Sequence, residues 1–212
     1  MNDRHQRRSR TGVPGVPSSA VPVPRERLRD GFTLIELLVV LTIIGIIAGI
    51  AAPRLDPVEF RMNGAVNELG TTLLAAQREA VMRQHNVVVA FDSAGGRIRI
   101  HSDKNNNGVI DNGEAVRSVG LPEDIFFGLG GAPARPRGSD PISLEREQDG
   151  MPAITFHRNG SASEEGVLYL MSHRAKVLGS YYATDTHAVE IERSTGRASW
   201  YRYDGSQWQR RY

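Results

Sequence analysis

The sequence predicts an α+β protein, with a long N-terminal helix, first apolar and then amphipathic, followed by a β-rich domain. Three observations carry this. Phe32 to Ala52 is a run of 21 residues in which Glu36 is the one ionisable side chain. Met62, Val66, Leu69, Leu73, Ala76 and Ala80 then recur at three- and four-residue steps, the period of one helix face packed on a sheet. After Asn86 come short runs rich in β-branched and aromatic residues, broken by glycine turns, the pattern of strands and hairpins.

Residues 1–31 carry seven Arg against Asp3, Glu26 and Asp30, a charge of +4, and the remaining 19 Lys and Arg against 21 Asp and Glu leave the rest of the chain at −2. The first 24 residues, with Pro14, Pro17, Pro22 and Pro24 among Ser, Gly and Arg, read as disordered. Arg25, Arg27 and Arg29 precede the apolar run, which sets these residues inside and everything after Ala52 outside a membrane. A helix over 32–52 covers a hydrocarbon core of roughly 30 Å and is too long for a signal-peptide core of about 7–15 residues. Glu36 is costly there, an uncompensated acid being charged roughly 2.5–3.5 kcal/mol at a helix centre and less near an end. It therefore needs a partner. Gly45 and Gly49 form a small-residue pair that lets another helix approach.

Pro53 would kink a helix rather than end it, so residues 53–85 are expected to continue the anchor as an amphipathic helix. The segment 86–212 is the β-rich domain. Its strands are expected at Val87–Phe91, Arg97–Ile100, Ala115–Val119, Ala153–Phe156, Gly166–Met171, Ala188–Glu192 and Arg197–Tyr203, with turns at Ala94-Gly95-Gly96, Asn159-Gly160 and Ser194-Thr195-Gly196. Residues 128–152, rich in Gly and Pro, read as a long mobile excursion.

The chain has no cysteine, hence no disulfide and no thiolate metal site. It lacks a Gly-x-Ser-x-Gly elbow, a His-Glu-x-x-His pair and a phosphate-binding glycine loop, so no enzyme is expected. His85, His101, His157, His173 and His187 show no ligand spacing and read as surface or half-buried strand residues. One metal pattern stands out. Asp103 to Glu114 matches the twelve-position calcium loop, with side-chain oxygens from Asp103, Asn105 and Asn107, the turn at Gly108, the carbonyl of Val109, a direct or water-mediated contact from Asp111 and a bidentate Glu114. No cofactor is required, and calcium is the candidate ion. A metal-free hairpin turn at Asn107-Gly108 is the alternative, since the flanks read as strands. The C-terminal stretch holds Arg193, Arg197, Arg202, Arg210 and Arg211 among Trp200, Tyr201, Tyr203, Trp208 and Tyr212, which offers phosphate contacts and stacking faces or ordinary cross-strand pairing.

Gly31-Phe32-Thr33-Leu34-Ile35-Glu36 followed by the apolar run resembles the leader of type IV pilins and type II secretion pseudopilins. The resemblance implies cleavage after Gly31, methylation of the new amino terminus on Phe32, and an assembly role for Glu36, paired with the amino terminus of a neighbouring subunit. Phe156 with Asn159-Gly160, the hairpin around Gly196-Arg197 and the acidic turn Asp103 to Glu114 resemble the GspH/FimT branch, in which a long helix packs on antiparallel sheets. That implies a pilin-like periplasmic domain on a single-pass inner-membrane anchor. Its partners would be a prepilin peptidase, other minor and major pseudopilins and the inner-membrane assembly platform. Two functions follow from the branch: a minor pseudopilin at or near the tip of the pseudopilus, or a FimT-like minor pilin binding DNA through Arg197 and Arg202. The DNA-binding members share a Gly-Arg-x-Arg turn, whereas Gly196-Arg197-Ala198 is followed here by Ser199.

Overall fold

The computed structural model describes residues 31–51 and 56–211, in two compact units, one ending at Ala52 and one beginning at Pro53. The leader residues before Gly31, including the stretch read as disordered, lie outside the described residues, as do Ala52 and Pro53.

The first unit is a single helix, α1 (Leu34–Ala51). Thr33 caps it. The Thr33 carbonyl accepts the Leu37 N–H at 3.1 Å and its Oγ1 accepts the Glu36 N–H at 3.2 Å, which satisfies one of the free donors of the first turn. The hydroxyl of Thr42 donates to the Leu38 carbonyl at 2.8 Å, so it brings no unpaired polar group into the apolar helix. The side chains described along α1 are exposed on every side. Its 18 residues rise about 27 Å, and among the described residues no helix is long and apolar enough to cross a membrane.

The second unit opens with α2 (Pro57–Arg83). The expected continuation of the anchor, kinked at Pro53, as one helix to residue 85 is not what forms, because Asp56 is extended at φ −88°, ψ 104° and caps α2 by accepting the Val58 N–H at 2.9 Å. The reason is local. A residue before proline is pushed out of the helical region, Asp is a good cap, and Pro57 sits where its missing N–H costs nothing. Met62, Ala65, Val66, Leu69, Gly70, Leu73, Ala76 and Ala80 form the buried stripe.

Two antiparallel sheets pack on that stripe. The first orders its strands β3 (Val116–Gly120), β2 (Arg97–Asp103), β1 (Asn86–Asp92), β7 (Met151–Phe156) and β6 (Glu147–Gln148). The second runs β11 (Trp208–Arg211), β10 (Ala198–Tyr203), β9 (His187–Ile191), β8 (Gly166–Ser172) and β4 (Ile125–Phe127), with β5 (Ile142–Ser143) also paired to β8. Leu69 and Leu73 of α2 share one core with Val89, Phe91, Ile154 and Phe156 of the first sheet and Leu168, Leu170, Val189 and Ile191 of the second. Trp200 packs against this core over Gly70, where an added Cβ would stand 2.4 Å from the indole. The expected strands are all present, with ends shifted by up to three residues.

Residues 128–152 depart from the expected excursion. They carry β5, β6 and the first residues of β7, and they bury Ala132, Ile142 and Gln148. The buried Tyr169 ties them down, its hydroxyl donating to the Gly138 carbonyl and accepting the Arg135 N–H, both at 2.7 Å. The helix α3 (His173–Leu178) and a 3₁₀ segment over Gly179–Asp185 follow β8, and neither was expected.

Candidate functional site

At the processing end, Gly31 precedes α1 without regular structure and Phe32 is 80% exposed. Glu36 lies in the first helical turn, where a carboxylate also complements the positive end of the helix dipole. Thr33 and Glu36 stand at the spacing of a capping box, a signal present in the sequence that points to a local role of Thr33 beside the motif.

The acidic loop between β2 and β3 folds around its own side chains. Asp103, 1% exposed, accepts the N–H of Asn107 at 3.0 Å and of Gly108 at 2.8 Å. Asn105 Oδ1 accepts the Asn107 N–H at 3.1 Å and Asn107 Oδ1 the Val109 N–H at 2.8 Å. Both amide nitrogens donate to Asp111 Oδ2 at 2.7 Å, so the ligand candidates at the third, fifth and ninth positions converge. Glu114 closes the loop. Its side chain, 5% exposed, takes the N–H of Lys104 at 2.8 Å and of Asp111 at 3.1 Å and meets His101 Nε2 at 2.7 Å. His101 first, and then these backbone donors, hold the Glu114 carboxyl down to about 2. Since Gln148 Nε2 donates to His101 Nδ1 at 2.9 Å, His101 carries its proton on Nε2 when neutral. Among the described residues no group of three or more His, Cys, Asp or Glu is placed to hold a metal; half of the expected donor set here is amide and carbonyl oxygen. His85 at 7%, His101 at 0% and His187 at 2% exposure are buried, which corrects the expectation of surface or half-buried positions for these three.

The two arginines of the nucleic-acid reading are not brought together. Arg202 stands on the face of β10 turned to α2 and pairs with Glu59. Arg197 lies at the turn before β10, near Glu192, whose carboxyl is lowered first by the Thr195 and Ser194 hydroxyls and then by Arg137 and Arg197. Both cations thus have a carboxylate close by.

The two turns singled out in the sequence do meet. Gln77 Nε2 on α2 donates to the Gly160 carbonyl at 2.7 Å and to the Thr195 carbonyl at 2.6 Å. Gly196, at φ +63°, comes so close that an added Cβ would stand 2.4 Å from the Gly160 oxygen. Only glycine fits both that dihedral and that approach. These turns lock the far end of the second sheet to the helix.

Residues 37% identical to the pilin-like protein PilA1 of Thermus thermophilus extend over 87 positions, 41% of this chain, and the chain spans 56% of that protein's length. The structure is similar to that of the minor pseudopilin EpsH from the type 2 secretion system of Vibrio cholerae, at 11% identity over 66% of this chain and 95% of the other, TM-score 0.45. It is also similar to the type IV minor pilin FimU of Pseudomonas aeruginosa, at 17% identity over 70% of this chain and 92% of the other, TM-score 0.42. Residues 27–52 match the prokaryotic N-terminal methylation motif, the mark of a membrane-anchored periplasmic protein. Residues 65–194, which include most of α2, the first sheet and strands β4, β5, β8 and β9 of the second, match the type II transport protein GspH, and the chain therefore belongs to the GspH family of pilin-like proteins.

Proposed function

We propose that this protein is a minor pseudopilin of a type II secretion system, a non-catalytic structural subunit at or near the tip of the periplasmic pseudopilus that aids export of proteins across the outer membrane. The observation that carries this over the DNA-uptake reading is the Arg202–Glu59 pair. It occupies one of the two arginines on which duplex binding would rest. In this proposal the peptidase cuts between Gly31 and Phe32 and methylates Phe32. Glu36 then finds its counter-charge on the amino terminus of a neighbouring subunit, made available by that cut.

The test is Glu36→Leu in the native host. Insertion in the membrane should be unchanged and the mature chain should differ in mass only by the substitution itself, while secretion falls to the level of a null strain. Normal secretion by this variant would refute the assembly role, and a mature chain beginning upstream of Phe32 would refute the processing. Duplex DNA binding by the purified protein should be weak and fall steeply with salt. Salt-resistant submicromolar binding, lost in Arg197→Ala or Arg202→Ala, would replace secretion with DNA uptake.

For the loop over 103–114 the proposal is a weak structural calcium site, of the roughly 10⁻⁴–10⁻³ M kind found in extracellular modules. What supports it is the convergence of Asn105, Asn107 and Asp111 side chains beside the buried Asp103.

A further inference from the structure

A cavity of about 380 Å³ lies between α2 and the far edge of the second sheet, lined by Asn63, Val66, Asn67, His187, Trp200 and Arg211. Its polar groups are unusual. His187 is 2% exposed, yet neither ring nitrogen has a partner in good hydrogen-bond geometry, the Asp185 backbone making only a weak approach to the ring, and the indole Nε1 of Trp200, equally shut off from solvent, has none either. Buried polar atoms are nearly always paired, and leaving three of them unpaired at one place points to a ligand that pairs them.

The donors outnumber the acceptors. Trp200 Nε1 can only donate, neutral His187 offers one donor and one acceptor, and Arg211 only donates. Asn63 has already given its carbonyl oxygen to Arg211 Nη1 at 3.0 Å, which leaves its amide N–H groups. The charge has the same sense. The groups around the ring are Glu59 on α2, Asp185 ahead of β9, Arg202 on β10 and Arg211 on β11. Glu59 is engaged by Arg202 and lies 3.9 Å from Arg211, while Asp185 is held by Arg174 and Ser172. Burial first, and then Arg202 and Arg211, push the His187 ring down to about 4 against the opposing pull of Asp185. A cavity that presents N–H groups under a positive field suits a compact anion with two acceptor oxygens, and the planar indole, imidazole and guanidinium donors suit a planar one.

We propose that this cavity is a carboxylate-binding site, in which one carboxylate group accepts hydrogen bonds from Trp200 Nε1, the His187 ring and the Arg211 guanidinium. The carboxylate belongs to a small free acid or to an acidic side chain of another chain. Its arrival beside the imidazole favours the protonated ring, so binding tightens as pH falls.

The test uses the full-length protein in detergent, labelled with ¹⁵N at tryptophan, with the two indole signals assigned through Trp208→Phe. Sodium formate is titrated against sodium chloride at equal ionic strength, and N-acetyl-glutamate amide forms a second arm. The Trp200 indole signal should shift saturably with formate and remain fixed with chloride, with affinity several-fold higher at about pH 5.5 than at about pH 8. Formate binding without the capped glutamate identifies a small free acid, whereas tighter binding of the capped glutamate identifies a side chain. His187→Phe should abolish the shift. Arg211→Gln, at a half-exposed position that leaves the fold intact, should weaken it several-fold. A chloride-matched response, or a shift that persists in both variants, would overturn the proposal.

Discussion

The loop over 103–114 and the cavity at His187 both take polar groups out of water, but only the loop answers them from its own chain. Asp103 and Glu114 accept backbone N–H groups three to ten residues away, and Glu114 also meets one histidine. His187 and Trp200 come from strands β9 and β10, face α2 across the core, and find no partner in good hydrogen-bond geometry for three nitrogen atoms. The difference is one of sequence distance. A short loop can satisfy its carboxylates through turns that its Asn and Gly residues form readily, whereas groups assembled from three distant elements are paired only where those elements happen to offer partners.

The largest test of this comparison is acid. His187 is held at about 4 in the folded chain, against about 6.5 when unfolded. As pH falls the unfolded chain takes the proton first. The stabilisation from keeping this ring neutral is complete above about pH 6.5, is lost as pH falls through the window from there to about 4, and amounts to about 3 kcal/mol. Glu114 is shifted in the same direction but acts in a lower window. Its carboxyl is depressed to about 2, so its contribution is present above the ordinary carboxylate pKa and goes as pH falls towards that value. Urea melts of the chain from Asp56 onward, whose core is complete without α1, should show two acid losses. His187→Phe should remove only the upper one. A single loss below pH 4 in the unsubstituted chain would break the comparison.

Next in size is the loop's dependence on itself. Asp103→Ala leaves the Gly108 N–H without its acceptor and the Asn107 N–H with Asn105 Oδ1 alone, at a cost of about 1–3 kcal/mol by the same melts. A neutral outcome would mean that water or neighbouring amides replace the carboxylate, and the loop would be no more self-sufficient than the cavity. Gly70→Ala probes the other region. Its methyl group would press on the Trp200 indole at 2.4 Å, and overpacking less the gain in helix propensity should cost about 1–2 kcal/mol while shifting the Trp200 indole resonance. An unmoved resonance would show that the indole does not wall the cavity as described.

The same contrast explains what the sequence made legible. The methylation motif, the amphipathic face of α2 and the twelve-residue loop are local patterns, and each lies where its periodicity or spacing placed it. The turns at Asn159-Gly160 and Thr195-Gly196 were legible as turns. Their meeting over Gln77 was not, because nothing in either segment names a partner more than eighty residues away. The break at Asp56 is legible in Asp56-Pro57, a cap followed by a first-turn proline, and not in Pro53, which on its own only kinks a helix. Residues 128–152 looked mobile because Gly and Pro outnumber apolar residues there, while their anchor is the hydroxyl of Tyr169 on another strand. The His187 cavity left no trace in the sequence at all, since its residues are spread over α2, β9, β10 and β11.

The smallest expected effect is that of calcium on the loop, and it decides how far the loop's independence goes. With a dissociation constant of about 1 mM, calcium at about 10 mM stabilises the folded chain by about 1.4 kcal/mol, a rise in melting temperature of about 4 °C for a domain of this size. The ion would take oxygens of Asp103, Asn105, Asn107 and Asp111 that also accept hydrogen bonds, together with the Val109 carbonyl and Glu114, so it would tighten an arrangement already formed rather than create one. The rise should therefore be specific but small. It should be absent with magnesium at the same concentration, because the smaller ion demands a stricter octahedron, and it should vanish in Asp103→Ala combined with Glu114→Ala. Calorimetric titration of the unsubstituted chain that gives no heat at millimolar calcium, with an unchanged melting temperature, would leave Asn107-Gly108 as a turn that needs no metal.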